Sequence, residues 1–153
     1  MDTAYTKYLS KESVLILEGT NKREVINEIL NAAEKISPIT RDVMDKGIWQ
    51  REKMMTTGIG HHLGLPHIRH PKLGEPILFV GVCKNEIADY ASVDNQPIRV
   101  IVFLAAPEGD QENYLKLLGS ISSKFRDETV ISEILENIDK PSKVLSILKK
   151  KNA

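Results

Sequence analysis

Two stretches of the chain are almost continuously apolar, Ile77-Leu-Phe-Val-Gly-Val-Cys83 and Ile98-Arg-Val-Ile-Val-Phe-Leu-Ala105. Runs of this kind predict strands covered on both faces. Val14 to Glu18 is a shorter β-branched and apolar run, predicting a third strand. Elsewhere apolar residues recur every three or four positions, the spacing of a helix with one buried face. Val25, Ile29, Ala32 or Ala33, and Ile36 follow Asn21, a helix cap with Glu24 three residues on. Thr40 is placed to cap a second helix running to about Lys53, with Val43, Met44, Ile48 and Trp49 as its apolar positions. A third helix is predicted from about Gln111 to Arg126, buried through Leu115, Leu117, Leu118, Ile121 and Phe125. Two short helices follow, over about 129–137 and 141–150, the second with Pro141 in its first turn. Ser37-Pro38, Asp94-Asn-Gln-Pro97 and Pro107-Glu-Gly-Asp110 read as breaks. Thr56–Gly60 and Leu63–Leu65 read as extended structure broken by glycines, His67–Glu75 as loop, and the polar residues 1–12 as an irregular arm. Buried strands separated by helices predict an α/β fold, a three-layer α/β/α sandwich with a central mixed β-sheet. With no repeat or linker, residues 1–153 are expected to form one domain.

Composition narrows the function classes. At 153 residues with 41% apolar and 27% charged side chains, the chain can bury a proper core. Its formal net charge is zero, which argues against a nucleic-acid partner. There is no 18-residue apolar run, so no direct membrane insertion is expected. The N-terminal residues lack a basic segment followed by an apolar one, so no secretory signal is read. The single cysteine, Cys83, excludes an internal disulfide and sits in an apolar run as core filler. Together these features predict a cytoplasmic protein.

The candidate chemistry is concentrated between Arg51 and His70. All four histidines lie there, at His61, His62, His67 and His70, with Arg51, Lys53 and Arg69 around them. Histidine is the side chain whose ordinary pKa lies in the physiological range, and a neutral imidazole is a nucleophile able to form a covalent intermediate. A phosphoryl group on it needs its oxygens stabilised. Backbone N–H groups of a Gly58-Ile-Gly60 turn, the hydroxyls of Thr56 and Thr57, and the fork of Arg51 are the residue types that do this. His67 stands out because Pro66 precedes it and fixes the chain there. Zinc binding by the histidines is the weaker reading: they have only loop spacing and no Cys or His-Glu-x-x-His partner. Neither a metal nor another cofactor is expected.

The order of these residues carries a resemblance. Arg51-Glu-Lys-Met-x-x-Thr-Gly-Ile-Gly60, followed by Leu65-Pro-His67, closely resembles the IIA domains of the bacterial phosphotransferase system. The match is to the fructose/mannitol type and, within it, to the nitrogen-regulatory IIA proteins. Asp94-Asn-Gln-Pro-Ile98, the strand into Ala106-Pro107, and Leu115-Lys-Leu-Leu-Gly-Ser-Ile121 extend it from about Val14 to Leu148. The resemblance implies a phosphotransferase whose His67 accepts a phosphoryl group from the histidine-containing phosphocarrier protein, with Arg51 as the active-site arginine. Onward partners would be a sugar-transporter IIB domain or a regulated protein. The chain departs from the family's Gly-Asn-Gly-Ile-Ala-x-Pro-His-Gly at His61, His62 and Ile68. Tyr114 stands where the family has a second active-site histidine. A tyrosine there can donate one neutral hydrogen bond to a phosphoryl oxygen. The alternative reading, favoured by Tyr114 and Ile68, is a regulatory binding module that keeps the fold and pocket without being phosphorylated.

Overall fold

In the computed structural model, residues 4–152 are described. Six strands form one sheet: β1 (Val14–Leu17), β2 (Gly58–Gly60), β3 (Leu63–Gly64), β4 (His67–His70), β5 (Ile77–Ile87) and β6 (Ile98–Pro107). Five helices cover it: α1 (Lys22–Glu34), α2 (Arg41–Met54), α3 (Gln111–Phe125), α4 (Glu128–Glu136) and α5 (Pro141–Lys149). The sheet runs in the order β1-β5-β6-β3-β2, with β4 also on β6. It is mixed: β1 is parallel to β5, β5 antiparallel to β6, and β3 and β4 parallel to β6.

Strand periodicity sorts the core into two halves. Val100, Val102, Leu104 and Ala106 of β6 join Leu78, Val80 and Val82 of β5 on one face, under α3, α4 and α5. Ile101, Phe103 and Ala105 join Phe79 and Cys83 on the other, under α1 and α2. The three-layer α/β/α arrangement expected from the apolar runs is therefore present. Burial pushes the Cys83 thiol up to about 12, as suits a packing residue. Gly81 is needed where β1 crosses: a Cβ there would lie 2.4 Å from Leu17 Cδ1.

Several local expectations are corrected. The stretch expected to be loop from His67 begins with β4, whose residues pair one by one with Leu104–Pro107. Its two histidines and arginine carry no apolar run; pairing with the exposed edge of β6 makes it a strand. The polar arm expected over 1–12 contains single 3-10 turns at Thr6–Tyr8 and Lys11–Ser13. Tyr5 and Leu9 anchor it in the core, and the Tyr5 hydroxyl donates to the Leu148 carbonyl at 2.6 Å. Residues 1–3 lie outside the described residues. Ile36, Val43 and Leu115, expected inside, are 65%, 40% and 54% exposed.

His61 and His62 form the two-residue turn between β2 and β3, where Gly60 pairs with Leu63. Both have left-handed backbone, with φ of 56° and 62°. Positive φ at both central positions marks the type I′ hairpin turn, a demand that Asn-Gly meets best. Left-handed backbone costs an ordinary residue roughly 1–2 kcal/mol, and asparagine tolerates it better than most. The His61 side chain is exposed, while the His62 ring bonds the Pro97 carbonyl at 2.8 Å. We therefore expect His61→Asn to raise the melting temperature by a few degrees and β-branched His61→Val to lower it. Thermal denaturation of the two variants checks this, and equal midpoints would show the turn unstrained.

Candidate functional site

His67, Arg51, Arg69 and Tyr114 meet at a cleft of about 320 Å³, whose walls also include Gly47, Gln50, Met54 and Ile68. Three elements bring them together. Strand alternation turns Ile68 inward, onto the core beneath α2, and His67 and Arg69 to the opposite side. The helix α2 can lie close because Gly47 faces Ile68; a Cβ at Gly47 would stand 3.0 Å from Ile68 Cγ2. This places Arg51, in the last turn of α2, at the cleft. Tyr114 comes from the first turn of α3, which Asp110 caps by accepting from the Asn113 N–H.

The tautomer of His67 follows from one hydrogen bond. Its Nδ1 lies 2.7 Å from the Leu65 carbonyl. A carbonyl only accepts, so Nδ1 carries the proton and the neutral ring presents Nε2 as its lone-pair nitrogen. Burial holds the His67 pKa below its ordinary 6.5; the Leu65 bond opposes this, the Arg51 charge adds to it, and Glu52 opposes it. The imidazole is thus kept neutral and nucleophilic near pH 7.

Arg51 is exposed, and among the described residues its guanidinium makes no hydrogen bond or ion pair. Its neighbour Glu52 makes no ion pair with it, since adjacent helical side chains diverge and that carboxylate is held by other partners. One oxygen takes the Lys22 ammonium at 2.6 Å and the Thr57 N–H at 3.3 Å, and the other takes the Thr57 hydroxyl at 2.5 Å. Since the Thr57 hydroxyl donates to Glu52, the Tyr90 hydroxyl is the donor in the short bond between Thr57 and Tyr90. Burial first, then the Glu52 charge, push the Tyr90 hydroxyl upward, so it stays protonated. Lys22 also sits 4.2 Å from the centre of the Tyr90 ring. Gly64 makes room for that ring: a Cβ there would lie 2.8 Å from Tyr90 Cζ.

Four residues expected to bind phosphoryl oxygens are not among the walls of the cleft. Thr57 is buried in the Glu52 network, and the Thr56 hydroxyl donates to the Ala91 carbonyl at 2.6 Å. The N–H groups of the expected glycine nest are also engaged. Gly58 donates to Thr56 Oγ1 at 3.2 Å and Gly60 to Ser92 Oγ at 3.1 Å. The glycine at position 58 serves chain packing, since a Cβ would stand 2.2 Å from the Ala91 carbonyl oxygen. These residues bind the 56–60 segment to the 90–94 segment. The other histidines are dispersed. His61 and His62 face a separate recess with Asp94 and Glu128, and His70 Nδ1 accepts from the Lys72 N–H at 3.1 Å. Among the described residues no group of three or more His, Cys, Asp or Glu side chains could hold a metal.

Tyr114 does reach His67. The ring centroids are 6.0 Å apart at an interplanar angle of 53°. Burial raises the Tyr114 hydroxyl above its ordinary pKa, and the charges of Arg51 and Arg69 oppose that rise. The residue that sequence reasoning left as a mere flank is Arg69, whose Cζ lies 4.5 Å from the centre of the Tyr114 ring. The period-two rule would have placed Arg69 beside His67, had residues 67–70 been read as strand rather than loop.

Comparison with known proteins gives this arrangement a context. The family model for the phosphoenolpyruvate-dependent sugar phosphotransferase system, EIIA 2, matches residues 7–151. The chain is 33% identical over 136 residues to a nitrogen regulatory protein of Escherichia coli strain K12, covering 80% of this chain and 79% of that protein. It is 29% identical over 133 residues to the fructose-specific EIIABC component of Bacillus subtilis strain 168, covering 86% of this chain. It spans only 21% of that longer relative. The crystal structure of nitrogen regulatory protein IIA-Ntr from Neisseria meningitidis has the same fold. Its TM-score is 0.85 at 23% identity, covering 94% of this chain and 97% of that one.

The lowered pKa of His67 has a measurable sign. An unfolded chain takes up the proton near the ordinary 6.5, the folded chain only at lower pH. This residue's stabilising contribution is therefore complete above that value and declines as pH falls from it through the folded pKa. A proton NMR titration of the His67 ring should give a midpoint below 6.5, and Arg51→Gln should move that midpoint upward. A parent midpoint above 6.5, or one indifferent to Arg51, would contradict the electrostatic account.

Proposed function

The chain belongs to the EIIA 2 family of the phosphoenolpyruvate-dependent sugar phosphotransferase system, and we propose that it relays or senses a phosphoryl group through Nε2 of His67. The observation that carries the proposal is the Nδ1–H bond to Leu65, which directs the ring's lone pair to Nε2 in a cleft beside the uncommitted Arg51 guanidinium. In the transfer, the Nε2 lone pair forms the new N–P bond. The donor's P–N bond breaks and the donor imidazole keeps the bonding pair. No proton has to leave His67, because Nδ1–H stays on the Leu65 carbonyl. Arg51 offers a planar fork to the phosphoryl oxygens. Tyr114 offers a neutral hydroxyl, held protonated by burial.

The proposed donor is the phosphorylated histidine-containing phosphocarrier protein, acting in the cytoplasm. The acceptor side divides between a IIB domain and a regulated protein. The name of the Bacillus subtilis relative, an EIIABC component, supports the first. The nitrogen regulatory relative, matched over most of both chains, supports the second. A second reading, a binding module that is not phosphorylated, is favoured by Tyr114, which is buried to 6% exposure and can supply no cation. No cofactor enters either reading.

Incubation with phosphoenolpyruvate, the first enzyme of the system and the phosphocarrier protein, followed by intact mass measurement, separates them. We expect one phosphoryl adduct, acid-labile and base-stable, that disappears in His67→Ala. An adduct that survives that substitution would move the site elsewhere, and a parent that takes none would establish the binding module. Arg51→Lys should slow transfer on the order of tenfold, since a lysine cannot replace the bidentate fork. Its melting temperature should stay nearly unchanged, because the guanidinium has no hydrogen-bond or ion-pair partner among the described residues to lose. Equal rates in parent and Arg51→Lys would remove Arg51 from the site.

A further inference from the structure

The oxygens of a phosphoryl group carried on Nε2 bear up to two negative charges, and Arg51 offers them only one guanidinium. The cleft walls contain a second guanidinium, that of Arg69, and no carboxylate. His67 and Arg69 are two apart on β4, hence on the same side of the strand. The ring of Tyr114 packs against both, with its centre 6.0 Å from the His67 ring centre and 4.5 Å from Arg69 Cζ.

The hydrogen bonds of Arg69 hold it in place without cancelling its charge. Nε donates to the Pro107 carbonyl at 3.4 Å, Nη2 to the Glu108 carbonyl and Nη1 to the Gln111 side-chain oxygen, each at 2.5 Å. All three acceptors are neutral oxygens of the turn from β6 into α3. Three of five N–H donors are spent in this way, which fixes the guanidinium against Tyr114 and leaves its positive charge at the cleft.

We propose that Arg69 is the second cation of the site: a positioning residue that seats Tyr114 beside His67 and, through its unneutralised charge, stabilises the phosphoryl group carried on Nε2. This inference rests on the phosphoryl-transfer reading above and adds a residue to it. Tyr114 by itself offers one neutral donor; backed by Arg69, it forms a wall at positive potential. The cleft then presents one guanidinium from α2 and one from β4 to a dianionic group.

The test compares parent, Arg69→Gln and Arg69→Lys in the reconstituted phosphoryl relay, with melting temperatures measured alongside. Losing one charge-assisted interaction should lower kcat for acceptance by His67 about tenfold in Arg69→Gln. The phosphorylated fraction at equilibrium with the donor should fall with it. Arg69→Lys, which keeps the charge but not the three-way tie to the turn, should recover most of the rate while melting lower than the parent. If Arg69→Gln matches the parent, or if both variants are slowed in proportion to their lost stability, the charge role is overturned and Arg69 is only a tie between β4 and the turn. If the parent is phosphorylated but these outcomes follow, the failure belongs to this inference alone. If the parent itself takes no phosphoryl group on His67, the transfer reading falls and takes this inference with it.

Discussion

The site depends on the way one edge of β6 is shared. Leu63 and Gly64 pair with Val100 and Ile101, then His67 to His70 pair with Leu104 to Pro107. Leu65 and Pro66 fill the interval between the two strands. Proline has no N–H to give a ladder, yet its carbonyl still accepts from the Leu104 N–H at 3.1 Å, so the chain stays in register across the break. The Leu65 carbonyl, at that break, takes the Nδ1–H of His67. A backbone feature thereby sets the tautomer of the candidate nucleophile, and the same strand directs His67 and Arg69 to one side and Ile68 to the other.

Electrostatics in the cleft depend on a second arrangement, buried behind it. Glu52 follows Arg51 on α2, and adjacent helical residues do not face each other. Lys22 and Thr57 occupy the carboxylate instead. Lys22 and Glu52 have side chains only 12% and 5% exposed. A buried pair of this kind is weak evidence for stability, because desolvation offsets most of the attraction. Its consequence here is one of allocation: the acid is used up inside, and the guanidinium beside it remains available to an anion. The threonine–glycine segment contributes to the same end by tying the chain after α2 to the 90–94 segment.

The cleft brings together an imidazole kept neutral by burial, guanidinium groups and a phenol, around a space without carboxylates. Each has a local cause. The imidazole owes its orientation to a broken strand, Arg51 its place to a helix end held close by Gly47, and Tyr114 its place to the first turn of α3. The arrangement suits a group that arrives and leaves as a phosphoryl unit, for which positioning and charge stabilisation supply most of the catalysis.

By itself the sequence determined the layers, the apolar strands and the order of helices. Two long apolar runs have to be buried on both faces, and helical spacing elsewhere supplies the covering, so local pattern and global architecture agree. It also singled out His67, Arg51 and Tyr114, because their order along the chain is a family's order. Only the tertiary structure decided which neighbours share the cleft. Thr56, Thr57, Gly58 and Gly60 are close to His67 in sequence but are engaged elsewhere, since hydrogen bonds to Glu52, Ala91 and Ser92 draw them to a different surface. Arg69 is drawn in because residues 67–70, which carry no apolar pattern of their own, become a strand by pairing with β6. That pairing spans more than thirty residues of intervening chain, and no local periodicity encodes an edge that another strand has left open.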